Sequence, residues 1–136
     1  MEEKKAQDVL LSNLSLIPKD KVLVFKEALN RADDDCYEKL LQTPVKNPTT
    51  VLLLSIFLGW AGVDRFFIKD IAVGVIKLLF IPIVFLLAVF FLDPIWIEFC
   101  TLIYYIFLII DIFFCYADVK KKNYKKMMSV LDPTEY

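Results

Sequence analysis

Histidine is absent from all 136 residues. Its absence removes the commonest general base and the commonest metal ligand. Cysteine is sparse and scattered: Cys36 stands in a polar region, Cys100 and Cys115 in apolar ones. Without a Cys-x-x-Cys spacing, neither a zinc site nor a disulfide framework is expected, only small apolar residues and one free thiol. No nucleophile stands beside a base, and no glycine-rich loop is placed to cradle phosphate. Gly59 and Gly62 lie within an apolar run and read as helix packing. The triple acid Asp33, Asp34, Asp35 lacks the central glycine of a calcium loop, so it reads as a solvated acidic turn. No catalytic, cofactor-binding or metal site is therefore expected. The first residues also lack the uninterrupted apolar core and cleavage site of a secretory signal. The first hydrophobic segment is expected to serve as its own insertion signal.

Apolar residues are abundant instead. Hydrophobic residues make up 58% of the chain and aromatics 15%, with a formal net charge of −1. That exceeds the ~45–50% of soluble domains and favours a membrane protein. The chain is organised around residues 47–70, NPTTVLLLSIFLGWAGVDRFFIKD. Asn47-Pro48 suits a helix start. The apolar run that follows ends in Asp64-Arg65 and then Phe66-Phe67, two adjacent charges and interfacial aromatics at the end of a span. Read as one helix, Leu52, Ser55, Gly59, Gly62 and Phe66 share a face, whose small residues let another backbone approach.

Two longer segments follow, residues 71–92 and 95–117, separated by Asp93-Pro94. At 1.5 Å per residue each reaches roughly 33 Å, enough to cross a ~30 Å hydrocarbon layer. Asp-Pro marks a turn, so an antiparallel helical hairpin is expected, with Pro82 kinking its first arm. Trp96 suits the interface near the turn. Ionisable residues inside such arms are costly and are candidate sites. Lys77 and Asp111 are each 17 residues from Pro94, which puts them at one depth and predicts an ion pair. The same geometry sets Asp70 opposite Asp118, near Arg65 and Lys69. Helical spacing aligns Asp70, Gly74, Lys77, Ile81, Val84 and Ala88 on one arm. On the other arm it aligns Ile97, Thr101, Tyr104, Leu108, Asp111, Cys115 and Asp118. A structural ion pair competes here with an ion path through Asp111, Tyr104 and Glu98, although Glu98 also suits the interface. Asp64 and Arg65 are neighbours and cannot pair on a helix. Arg65 is expected to reach Asp118 or Asp70.

Residues 1–46 are polar, with nine acids against eight bases. Val9, Leu10, Leu14 and Ile17 make one amphipathic pattern ending at Pro18, and Val22, Phe25, Leu29 and Ala32 make a second. The triple acid should break or cap before residues 37–41. These short helices must pack on one another, on the membrane surface or on a protein partner. At the other end, five lysines fall between Lys120 and Lys126. Beside a span they read as an orientation signal and an anionic-lipid contact rather than a nucleic-acid site. The last five residues are expected to fray.

The elements GWAGVDRFF, VGVIKLL, IIDIFF and KKKNYKK resemble, in that order, the TM2 domain family over roughly residues 46–126. Residues 17–41 look like the leader of its bacterial members. Lys69 stands where the family usually has glycine after the Asp-Arg-Phe turn. The apolar stretch 80–92 replaces a short glycine-rich connector. The resemblance implies an integral membrane protein, of a bacterial inner membrane, with no established biochemical activity to carry over.

The expected architecture is an all-α integral membrane protein with three hydrophobic helical segments, 49–68, 71–92 and 95–117. The last two form the antiparallel hairpin. A soluble helical region, 1–46, precedes this membrane domain of residues 47–118, and a basic tail, 119–136, follows it. The leading functional expectation is a non-catalytic membrane-anchored interaction or scaffold module. The alternative is a homo-oligomeric transporter or channel subunit using Lys77, Asp111 and Arg65. The turn at Asp64 and Arg65 and the basic tail should share one side, the cytoplasmic one by the positive-inside rule. Three full spans would then put residues 1–46 outside, unless the first segment inserts without crossing.

Overall fold

The computed structural model describes residues 3–91 and 93–132, which form helices joined by turns. The chain divides into two compact units, one of Met1–Pro48 with Ala117–Tyr136 and one of Thr49–Tyr116. Leu92 of the expected second segment and positions 133–136 of the expected frayed end lie outside the described residues.

The first unit opens with α1, Glu3–Asn13. Its last turn is loosened by Ser12 and Asn13, whose side chains both donate to the Val9 carbonyl oxygen. Val9 and Ile17 turn inward, while Leu14, beyond the helix end, is exposed. Pro18 then holds extended backbone ahead of a short 3₁₀ turn, Lys19–Lys21, and α2, Val22–Arg31. Phe25 and Leu29 of the second amphipathic pattern are fully buried. The acidic run opens α3, Asp35–Gln42, placing carboxylates where the helix dipole favours them.

The partner of these short helices is the far end of the chain. The lysine-rich stretch read as part of a tail is helical, and its Tyr124, Met127 and Met128 join Val9, Ile17, Phe25, Leu29 and Leu40 in one core. Burying each large side chain contributes about 1.5–3 kcal/mol, so four helical segments make a core that three could not. Asn123 lies at the centre, 2% exposed. Its Oδ1 accepts the Lys46 N–H at 3.0 Å, and its Nδ2 donates to the Lys46 and Leu16 carbonyl oxygens at 2.7 and 3.1 Å.

The second unit departs from the expected single helix over 49–68. Helix α4, Pro48–Leu58, has 11 residues, roughly 16 Å of rise, about half a hydrocarbon layer. At Gly59 the chain tightens into a 3₁₀ turn, Gly59–Ala61. Gly62 then takes left-handed geometry, φ 72°, and the short helix α5, Val63–Phe67, follows. Only glycine fits position 62, because a Cβ there would lie 2.6 Å from the Gly74 carbonyl oxygen. The stripe from Leu52 to Phe66 is thus not one helical face: two glycines break the helix instead of smoothing it. Lys69 is left-handed too, φ 62°.

Among the described residues two helices are long and apolar enough to cross a membrane: α6, Ile71–Phe91, and α7, Pro94–Leu131. Pro82 is accommodated inside α6. Pro94 occupies the first position of α7, where its missing N–H costs nothing, and the Asp93 carbonyl oxygen accepts from Trp96 and Ile97. The stripes anticipated on the two helices are their less exposed faces. Gly74 and Lys77 are buried and Ile81, Val84 and Ala88 half-buried, between exposed neighbours. On α7, Ile97, Tyr104 and Leu108 are half-buried and Asp111 and Cys115 buried, whereas Thr101 of the same stripe is exposed.

Candidate functional site

Four charged side chains meet in the second unit, and all are withdrawn from solvent: Asp64 0% exposed, Lys77 2%, Arg65 4% and Asp111 6%. The left-handed turn at Gly62 directs α5 toward α6 and α7, so that Asp64 and Arg65 reach different partners. Lys77 Nζ lies 3.1 Å from Asp64 Oδ2 and also forms an ion pair with Asp111. It donates in addition to the Gly59 carbonyl oxygen at 3.3 Å, an acceptor freed where the α-helix ends. Arg65 addresses Asp111 with two nitrogens, Nε at 3.3 Å from Oδ2 and Nη2 on Oδ1. Its Nη1 lies 3.4 Å from the Asp70 carboxylate, which is partly exposed. Ser55 completes the cluster by donating to Asp64 Oδ2 at 3.0 Å.

Two cations and two fully enclosed aspartates cancel. Every buried polar side-chain atom among the described residues has a partner. Such a network offsets its desolvation only while complete, because losing one member strands another buried charge. It binds three elements together: α5 through Asp64 and Arg65, α6 through Lys77, and α7 through Asp111.

The structure brings Lys77 and Asp111 together, as their equal distance from Pro94 predicts. Arg65 meets Asp70, one of its two expected partners, and also Asp111. Asp118 belongs to the first unit. Glu98 is exposed near the start of α7. Phe66 packs its ring over Gly74, where an added Cβ would meet it at 3.1 Å. The Asp64–Lys77 and Arg65–Asp111 contacts were not foreseen. The available signal was the glycine pair at 59 and 62, read as packing when it marks a reversal.

Two further contacts fix the neighbourhood. Tyr104 stacks on Phe80 with ring centroids 5.1 Å apart, and its hydroxyl donates to the Trp60 carbonyl oxygen at 3.2 Å. Ser55 meets the buried thiol of Cys115. The stretch from Ser55 to Trp60 therefore runs from the Cys115 level of α7 toward its Tyr104 level, opposite in direction to α7.

Residues 44–93 match the family model of the TM2 domain. Asp64, Arg65, Asp70 and Lys77 fall inside the matched stretch and Asp111 beyond it. No curated protein and no solved structure matches the chain. With this match and two apolar helices of span length, the chain is a membrane protein that carries a TM2 domain.

Proposed function

We propose that this protein is a non-catalytic membrane anchor that presents a helical interaction module on one side of the bilayer. The observation that carries the reading is the closed ion cluster. A transport path needs charges that exchange partners with a passing ion. Here Lys77, Arg65, Asp64 and Asp111 neutralise one another, and every buried polar side-chain atom among the described residues has a partner. The cluster acts as a clamp that holds the α4–α5 element against a hairpin of α6 and α7.

The placement that follows has two spans, α6 and the apolar part of α7, and a re-entrant α4–α5 that dips into the bilayer and returns at Asp70. Residues 3–48 and 117–132 then lie on one side, because they share a single hydrophobic core. Arg65, Lys69 and the lysines from Lys120 to Lys126 crowd the same side, the cytoplasmic one by the positive-inside rule. Exposed Lys121 and Lys125 suit anionic headgroups there. The module of residues 1–46 and the end of α7 is the surface offered to a protein partner.

Reconstitution tests this reading. In nanodiscs the protein is expected to run as a single chain that captures a soluble partner through the module. In liposomes it should carry no ion flux above empty vesicles. A closed ring of identical chains with flux abolished by Lys77→Met plus Asp111→Leu would overturn the reading in favour of a channel or transporter subunit.

A further inference from the structure

Because α4 stops at Leu58, the two long helices continue past it unaccompanied, and an apolar groove of about 620 Å³ remains. It runs from Ser55 and Ile112, past Trp60 and Tyr104, to Ala88 and Ile97 near the Asp93-Pro94 turn. We infer that this groove holds one acyl chain of a zwitterionic, amine-bearing phospholipid from the leaflet at that turn.

The walls select hydrocarbon. Among the described residues no charged one lines the groove. Of its four lining hydroxyls three are committed to the protein: Ser55 donates to Asp64, Thr101 to the Ile97 carbonyl oxygen at 2.8 Å, and Tyr104 to the Trp60 carbonyl oxygen, while Tyr105 is the fourth. A polar ligand would find few donors to replace the water it gave up, whereas hydrocarbon gives up nothing.

Size suits one acyl chain. A helical segment completing the ~14 Å that α4 leaves unfilled would occupy roughly 1,100 Å³ at 10 Å diameter. The groove offers little more than half of that. It accommodates about 20 groups of methylene or water size at ~30 Å³ each, the scale of one chain.

Charge selects the headgroup. Asp93 and Glu98 are exposed at the turn, and neither Lys nor Arg occurs between Lys77 and Lys120. An anionic headgroup anchored there meets only like charge, whereas an amine meets carboxylates. One surface charge at a membrane shifts partition about fivefold.

The test uses the full chain in vesicles of equal parts phosphatidylethanolamine and phosphatidylglycerol. After extraction in mild detergent, native mass spectrometry should find one retained lipid per chain, the ethanolamine lipid enriched about fivefold. Ala88→Phe, which fills the groove, should release it. A lipid-free chain, an anionic lipid retained at or above its share, or a lipid-free dimer each overturns the inference. A second measurement does not depend on that variant's folding. In Trp96→Phe protein the sole tryptophan is Trp60, which lines the groove. Brominated chains on phosphatidylethanolamine should quench it more strongly than the same chains on phosphatidylglycerol, and equal quenching overturns the inference.

Discussion

Removing Lys77 and Asp64 together should be far less harmful than removing either alone. Lys77→Met leaves Asp64 fully buried with only the Ser55 hydroxyl as a partner, while Asp111 keeps Arg65. Asp64→Leu leaves Lys77 its other acid, Asp111, but unbalances the cluster by one positive charge. Stranding a buried charge costs about 3–5 kcal/mol, so each single variant should lie near that figure, Asp64→Leu at its lower end. The double variant leaves Arg65 paired with Asp111 and two apolar side chains at lipid depth, and should fall within ~1 kcal/mol of wild type. The coupling energy these figures imply, the two single penalties less that of the double, is roughly 5–9 kcal/mol, above the ~0.5–3 kcal/mol usual between contacting residues. A second double variant sharpens the test. Lys77→Met with Asp111→Leu leaves Asp64 without its cation and takes from Arg65 the buried Asp111, so it should recover much less. Equilibrium unfolding in mixed micelles, followed by tryptophan fluorescence, measures all five proteins. If the two double variants are equally stable, or the 64/77 double is as poor as its singles, the clamp as described is wrong.

Lys69 holds a left-handed backbone that costs a non-glycine residue about 1–2 kcal/mol, so Lys69→Gly should raise the unfolding midpoint. Gly62→Ala should lower it sharply, because the new Cβ meets the Gly74 backbone, and a retained midpoint would argue against the reversal there. Asn123→Leu abandons two backbone groups of Lys46 and one of Leu16 at about 1–3 kcal/mol apiece, and the Lys46 amide should exchange with deuterium markedly faster.

The long helices were legible because lipid-spanning segments announce themselves by length. The less exposed faces were legible because Gly74, Lys77 and Ala88 on α6, and Tyr104, Asp111 and Cys115 on α7, fall at helical spacing within otherwise large apolar runs. The Lys77–Asp111 pairing needed only an apex, supplied by Asp93-Pro94. The break at Gly59 was not legible, since glycine at three-residue spacing serves close helix packing and helix termination alike. With that break missed, Asp64 and Arg65 were placed at the far end of a span instead of being folded back onto Lys77 and Asp111. The role of Asn123 was hidden for another reason. It stands among five lysines, where composition suggests a solvated surface, and only the packing of α1 to α3 against that stretch encloses it.

The account rests most directly on both ends of the chain sharing one side of the membrane. Accessibility labelling in a Cys36, Cys100 and Cys115 to Ala background tests it, with single cysteines introduced at the exposed positions Lys26→Cys, Lys121→Cys and Asp93→Cys. A membrane-impermeant reagent applied to sealed, oriented vesicles should label positions 26 and 121 from the same face and position 93 from the opposite one. Labelling of 26 and 121 from opposite faces would mean that α4–α5 crosses the bilayer, and would contradict both the two-span placement and the core these ends share.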